Sequence, residues 1–267
     1  MHMEIPPGWE EDGVSRADYV WRLKKSVYGM PQAGNCAQKT LKRTIMESKL
    51  FTASKADECV FVSSEPKTGY AAMGTFVDDI LTVGDKKGTP KVISTLKSKF
   101  EITIKEEPTM FCGVQIERNR KHRWLKLHQQ GYTEALLAKY DRTDSRPMDT
   151  PMDAGTAKVL MTLPTEDATS SSIKEYQEIV GGLMWLLRTR PDLYFTINLL
   201  ARYLKNATPE HVAIAKGRPL RYLANTTSYG IVFSPGDGDW FLSAAADSDL
   251  AVLQRVRRRQ HIKFSSN

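Results

Sequence analysis

Gly74-Thr75-Phe76-Val77-Asp78-Asp79-Ile80-Leu81-Thr82-Val83-Gly84 sets two short apolar runs on either side of adjacent acids. The runs are rich in β-branched residues and are closed by glycines, a pattern that predicts a hairpin with carboxylates at its turn. Neighbouring carboxylates repel each other, so the pair is costly unless it is solvated or holds a cation. Taken alone, the pattern reads as an ordinary polar turn, with a metal site as the alternative, and the flanking chain has to decide between them.

Outward from the hairpin the pattern alternates. On its N-terminal side, Tyr19–Leu23 and Glu58–Val62 read as strands. Between them a helix is expected from about Gln32 to Lys49, with Leu41, Ile45 and Met46 on one face. Gly29 and Pro31 mark a turn before this helix, and Lys24 and Lys25 precede the turn. A helix N-terminus behind two lysines can receive a phosphate; solvated lysines and a surface amide at Gln32 are the alternative. On the C-terminal side a helix is expected from Lys91 to Phe100, with Pro90 at its start. Phe111–Glu117 reads as a strand, paired with Trp124–Leu127 across the basic turn Arg118–Arg123. This order predicts an α+β layer with helices on one face of an antiparallel sheet.

From Gln130 the pattern is helical, with Tyr132, Leu136, Leu137 and Tyr140 on one face. Residues 144–172 carry Pro147, Pro151 and Pro164 among many Ser and Thr, and read as an exposed connector. Tyr176, Val180, Leu183 and Leu187 define the next helix, and Leu193, Ile197, Leu200 and Leu204 another. A third starts with Thr208 as N-cap and Pro209 in its first turn. Gly217 and Pro219 fall inside it, so it either breaks there or tolerates damage. Gly230–Phe233 and Trp240–Ala245 read as strands, followed by Asp247 and by a basic tail, Arg255 to Lys263, which is expected to be solvated.

Composition narrows the classes. The 267 residues suit one large or several small domains, and 41% hydrophobic residues are enough for a core. A net charge of +7 favours polyanionic partners, nucleic acid first, or else marks a basic protein with scattered lysines. Cys36, Cys59 and Cys112 form no Cys-x-x-Cys arrangement and fit a reducing, intracellular compartment. The histidines show no zinc spacing, and no apolar run approaches the roughly 18 residues of a membrane span.

The order of the motifs resembles the reverse transcriptase region of copia-type retrotransposon polyproteins. Lys24–Ala33 looks like the family's Lys-x-Leu-Tyr-Gly-Leu-Lys-Gln-Ala segment, and Phe76–Leu81 is similar to its Tyr-Val-Asp-Asp box. Phe111–Ile116 resembles its Phe-Leu-Gly-Ile-x-Ile strand. Tyr176–Gly182 with Thr189–Asp192, and then Leu220–Thr226, look like its downstream helices. The resemblance implies a right-hand polymerase: partial fingers and palm over 1–118, a helical thumb and connection over 119–227, and the start of a ribonuclease H-like domain over 228–267, with Asp247 as its remnant acid. It implies RNA-directed DNA synthesis with Mg²⁺ or Mn²⁺, held by Asp78 directly and supported by Asp79. It implies substrate contacts at Gln32, Lys24 and Lys25, primer contacts at Phe111 and Gly113, and an RNA template, a DNA primer and deoxynucleoside triphosphates as partners. No membrane is implied; the location is a cytoplasmic particle or the nucleus.

Departures from the family pattern qualify this. The family places another catalytic Asp upstream, in an Asp-x-x-x-Ala-Phe-type segment, whereas Met3–Gly8 looks like the stretch just after it. Phe76 stands where Tyr is usual. The expectation is a fragment that is not a competent enzyme alone. A noncatalytic nucleic-acid-binding protein derived from the same fold is the alternative, and a relic without a stable fold is a third reading.

Overall fold

The computed structural model describes residues 2–9, 18–27, 29–63, 69–234, 243–247 and 259–263. The chain divides into two units, Met1–Gly113 and Val114–Asn267.

In the first unit, β1 (His2–Glu4) and β2 (Val20–Arg22) form an antiparallel pair with Met3 opposite Trp21. Next come α1 (Ala33–Glu47), β3 (Phe51–Ala53), β4 (Val60–Ser63), β5 (Ala71–Phe76), β6 (Asp79–Gly84), α2 (Gly88–Lys97) and β7 (Met110–Phe111). Strands β3 to β6 make an antiparallel sheet in sequence order, as consecutive hairpins require. Alternation along β5 buries Ala71, Met73 and Thr75 on one face. Ile45 of α1 and Val92 and Leu96 of α2 join Phe51, Phe61, Ala71 and Met73 in one core.

The base of the β5–β6 hairpin is tied to α2. The Asp85 carboxylate accepts from the backbone N–H groups of Tyr70 (2.9 Å), Lys87 (2.8 Å) and Gly88 (2.6 Å). These bonds, Tyr70's first, hold its pKa below the usual carboxylate range. Gly88 packs so closely that a Cβ there would lie 2.1 Å from the Tyr70 carbonyl oxygen, so only glycine fits.

In the second unit, β8 (Val114–Asn119), β9 (Trp124–His128) and β10 (Gly230–Phe233) pair antiparallel, with Gln115 and Gly230 both opposite His128. The helices are α3 (Gln130–Lys139), α4 (Ala154–Thr162), α5 (Ser170–Leu186), α6 (Tyr194–Ala201), α7 (Pro209–Lys216) and α8 (Arg218–Asn225). Their apolar stripes meet in a core that includes Leu136, Leu160, Tyr176, Leu183, Ile197, Val212 and Leu220. Strands β11 (Ser243–Asp247) and β12 (Arg259–Lys263) pair with Asp247 opposite Arg259. Trp240–Leu242 and Arg255–Arg258 lie outside the described residues.

Two sequence expectations need correcting. Residues 144–172 are not an exposed connector throughout, because α4 lies within them and buries Ala157 and Leu160. Asp153 starts α4 by accepting from the Thr156 N–H at 2.6 Å. Phe111–Glu117 is not one strand either. Cys112 and Gly113, with φ of 50° and 77°, form a left-handed turn between β7 and β8. The expected helix from Thr208 breaks at Gly217, and Pro219 sits in the first turn of α8 where its missing N–H costs nothing.

The corner between α5 and α6 is held by Arg190, which is 2% exposed. Its Nε and Nη2 donate to Asp192 at 3.0 and 2.7 Å. Nη1 and Nη2 donate to the carbonyl oxygen and Oγ1 of Thr226, both at 2.8 Å. The Tyr222 hydroxyl donates to Asp192 at 2.8 Å. Burial opposes the Asp192 charge, but its hydrogen bonds from Arg190 and Tyr222 outweigh this and lower its pKa.

His211 has no exposed surface. The Thr208 N–H donates to its Nδ1 at 3.2 Å, which leaves the proton of the neutral ring on Nε2. Among the described residues Nε2 has no hydrogen-bond partner, and the rings of Tyr176 and Tyr203 pack at 6.2 and 4.7 Å. Burial lowers the His211 pKa, against a weaker opposite pull from Glu210. The unfolded chain therefore takes up a proton near pH 6.5 that the folded chain refuses. Stability is complete above that pH and falls by up to about 1.4 kcal/mol per unit as pH drops toward the lowered value. Urea unfolding at pH 7.5 and 5.5 checks this. His211→Gln, which keeps a capping side chain without a proton to gain, is expected to flatten the difference.

Candidate active-site hairpin

The loop of the β5–β6 hairpin is Val77-Asp78, with Phe76 opposite Asp79 in the last register pair. Asp78 therefore stands in the turn, and Asp79 opens β6. Val77 has φ 52° and Asp78 is not in the positive-φ region. A positive φ at the first loop residue alone is the type II′ pattern, which normally takes glycine there. Valine is β-branched, so this backbone is strained. Val77→Gly removes the steric cost of about 1–2 kcal/mol but adds about 0.5–1 kcal/mol of chain entropy. A net gain of up to about 1.5 kcal/mol in the urea unfolding of the first unit is expected, and a loss would show the bend to be unstrained.

The tip points into solvent. Val77 is 74% exposed and Phe76 52%, and both Asp78 and Asp79 are exposed. Among the described residues neither carboxylate has a hydrogen bond or an ion pair. Two hard oxygen donors side by side on an exposed turn suit Mg²⁺ or Mn²⁺, which binds through one or two carboxylates and completes its shell with water and substrate phosphates. Among the described residues no group of three His, Cys, Asp or Glu side chains is placed to hold a metal.

The remaining candidates are distributed as follows. Lys24 and Lys25 are exposed and without ion-pair partners among the described residues, in the bend between β2 and α1. Gln32 is half-buried at the N-cap of α1, where its carbonyl accepts from the Cys36 N–H at 3.0 Å. Phe111 ends β7, half-buried, and Gly113 is exposed in the left-handed turn after it. All these belong to the unit that carries Asp78 and Asp79, whereas Asp247 ends β11 in the other unit. Sequence reasoning missed Thr75, Cys59 and Gln38, which tie the hairpin to α1. Their link is tertiary, and no local signal marks it.

The model of a family described as reverse transcriptase (RNA-dependent DNA polymerase) matches residues 1–154, which contain the whole hairpin and α1. The chain belongs to the reverse transcriptase family. The Pol polyprotein from transposon RE2 of Arabidopsis thaliana, described as retrovirus-related, is 35% identical over 94% of this chain and 16% of its own length. The Pol polyprotein from transposon TNT 1-94 of Nicotiana tabacum is 31% identical over 94% of this chain and 19% of its own. That of transposon RE1, also from Arabidopsis thaliana, is 33% identical over 94% and 16%. These matches make the chain a copia-type reverse transcriptase region that spans less than a fifth of the length of these relatives. No solved structure matches it. Among the described residues no helix is long and apolar enough to cross a membrane.

Proposed function

We propose that the chain is a working part of an RNA-directed DNA polymerase: fingers and palm over 1–118, thumb and connection over 119–227, and the opening of a ribonuclease H-like domain over 228–267. The observation that carries this reading is the exposed, strained turn with two unengaged carboxylates, mounted on a packed sheet. Asp78 is the direct metal ligand and Asp79 the supporting acid. Bound with substrate phosphates, Mg²⁺ or Mn²⁺ supplies charge neutralisation for the in-line displacement that joins a nucleotide to a primer. Gln32 contacts the incoming nucleotide, Lys24 and Lys25 attract its phosphates, and Phe111 and Gly113 hold the primer end. With two carboxylates at the bend, extension by the chain alone is expected to stay near background.

A noncatalytic nucleic-acid-binding role is the second reading. The net charge of +7 favours it without calling on the acids.

Binding to an RNA–DNA hybrid at 50 and 200 mM salt, followed by Mn²⁺ titration of the complex with a deoxynucleoside triphosphate, tests both. Affinity is expected to fall by roughly tenfold or more between the two salts, since each phosphate contact releases a counterion. Salt-independent binding would sink both readings. Salt-dependent binding without Mn²⁺ uptake would select the second.

A further inference from the structure

The strained turn needs a support that the sheet ladder does not supply. The β4–β5 ladder ends at Val60 opposite Gly74, and β6 is the outer strand of its sheet. Beyond Gly74 the hairpin would run free for the last residues before Asp78. Strained backbone persists only where its surroundings over-determine it.

The support comes from Thr75. Its backbone N–H and its Oγ1 both donate to the Cys59 carbonyl oxygen, at 2.9 and 3.2 Å. Cys59 is itself pinned on two further sides. Its N–H donates to Asp57 Oδ1 at 2.8 Å, and its Sγ accepts from Gln38 Nε2 of α1 at 3.0 Å. Thr75 is 9% exposed, so its hydroxyl is shielded from competing water, while Phe76 and Val77 beside it are open to solvent. We propose that Thr75 is a positioning residue for Asp78, and that the Gln38–Cys59–Thr75 relay fixes the catalytic turn to helix α1.

A serine keeps the hydroxyl and a valine keeps the shape, so the two substitutions separate bonding from packing. Gln38 lies on the exposed face of α1, and its replacement threatens no core contact.

The proposal rests on reading the turn as the metal site, but its test reads the turn directly. Amide hydrogen exchange at Phe76 to Ile80 is compared among the native chain, Thr75→Val, Thr75→Ser and Gln38→Met, alongside Mn²⁺ affinity in the hybrid complex. Thr75→Val is expected to speed exchange at the turn at least fivefold and weaken Mn²⁺ binding severalfold. Thr75→Ser is expected to stay within twofold of native on both measures. Gln38→Met is expected to shift exchange in the same direction by a smaller factor. Native exchange at the turn in Thr75→Val, or an equal acceleration across all of β3 to β6, would overturn the proposal. Faster exchange confined to the turn, with no Mn²⁺ uptake even by the native chain, would uphold the clamp and refute the metal reading instead.

Discussion

Asp78→Asn is expected to abolish Mn²⁺ uptake by the hybrid complex and to remove any residual Mg²⁺-dependent primer extension above background. The substitution is nearly isosteric. It replaces an anionic oxygen donor by a neutral amide, and Mg²⁺ prefers hard anionic oxygen. Asp78 is exposed and has no hydrogen bond or ion pair among the described residues, so its loss leaves the core intact. Hybrid affinity without metal is therefore expected to stay within about twofold of native, because it depends on cations elsewhere. Asp79→Asn is expected to act in the same direction with a smaller loss. Extension that survives Asp78→Asn would place the chemistry elsewhere and end the case for this turn.

Arg190→Ala is expected to cost the second unit about 3 kcal/mol or more. A buried guanidinium that satisfies a carboxylate and a carbonyl at once cannot be removed piecemeal. Its loss leaves Asp192 with Tyr222 as its one remaining side-chain donor among the described residues and strips the Thr226 carbonyl of its Arg190 donor. The Asp192 side chain is 34% exposed and rehydrates in part, which keeps the expected figure at the lower end for a broken buried pair. Arg190→Met fills the volume without the bonds and is expected to lose nearly as much. Urea unfolding followed by far-ultraviolet circular dichroism, which the helices of the second unit dominate, measures both. A cost below about 1 kcal/mol would reduce the network to the worth of a surface ion pair.

Much of this architecture could be read from residue order. The acid pair between β-branched runs announced the hairpin, and apolar spacing announced α1, α3 and α5. Thr208-Pro209 announced the start of α7. What escaped was set by contacts between distant segments or by backbone angles that composition does not encode. Helix α4 hid among Pro147, Pro151 and Pro164, because Val159, Leu160 and Met161 run together instead of marking one helical face. The turn at Cys112 escaped because a cysteine with φ of 50° breaks no rule of composition. The same is true of Val77. Arg190 was legible only as part of a motif at a helix end. Nothing local says that it is buried, since charged residues enter a core only when paired, and Thr226 lies far along the chain. Within the candidate site, Asp78 and Asp79 are legible from spacing, whereas the bonds from Thr75 to the Cys59 carbonyl oxygen are not.

Gly217 and Pro219 first read as a flaw in a helix, but a straight rod can lie along only one neighbour. The elbow at Gly217, with φ −79° and ψ −107°, lets α7 lie against α5 while α8 turns toward α3. A Cβ there would press on the Ala213 carbonyl oxygen at 3.0 Å. Mending the helix with alanine at both positions would thus raise its intrinsic helicity and force one of its two halves out of its berth.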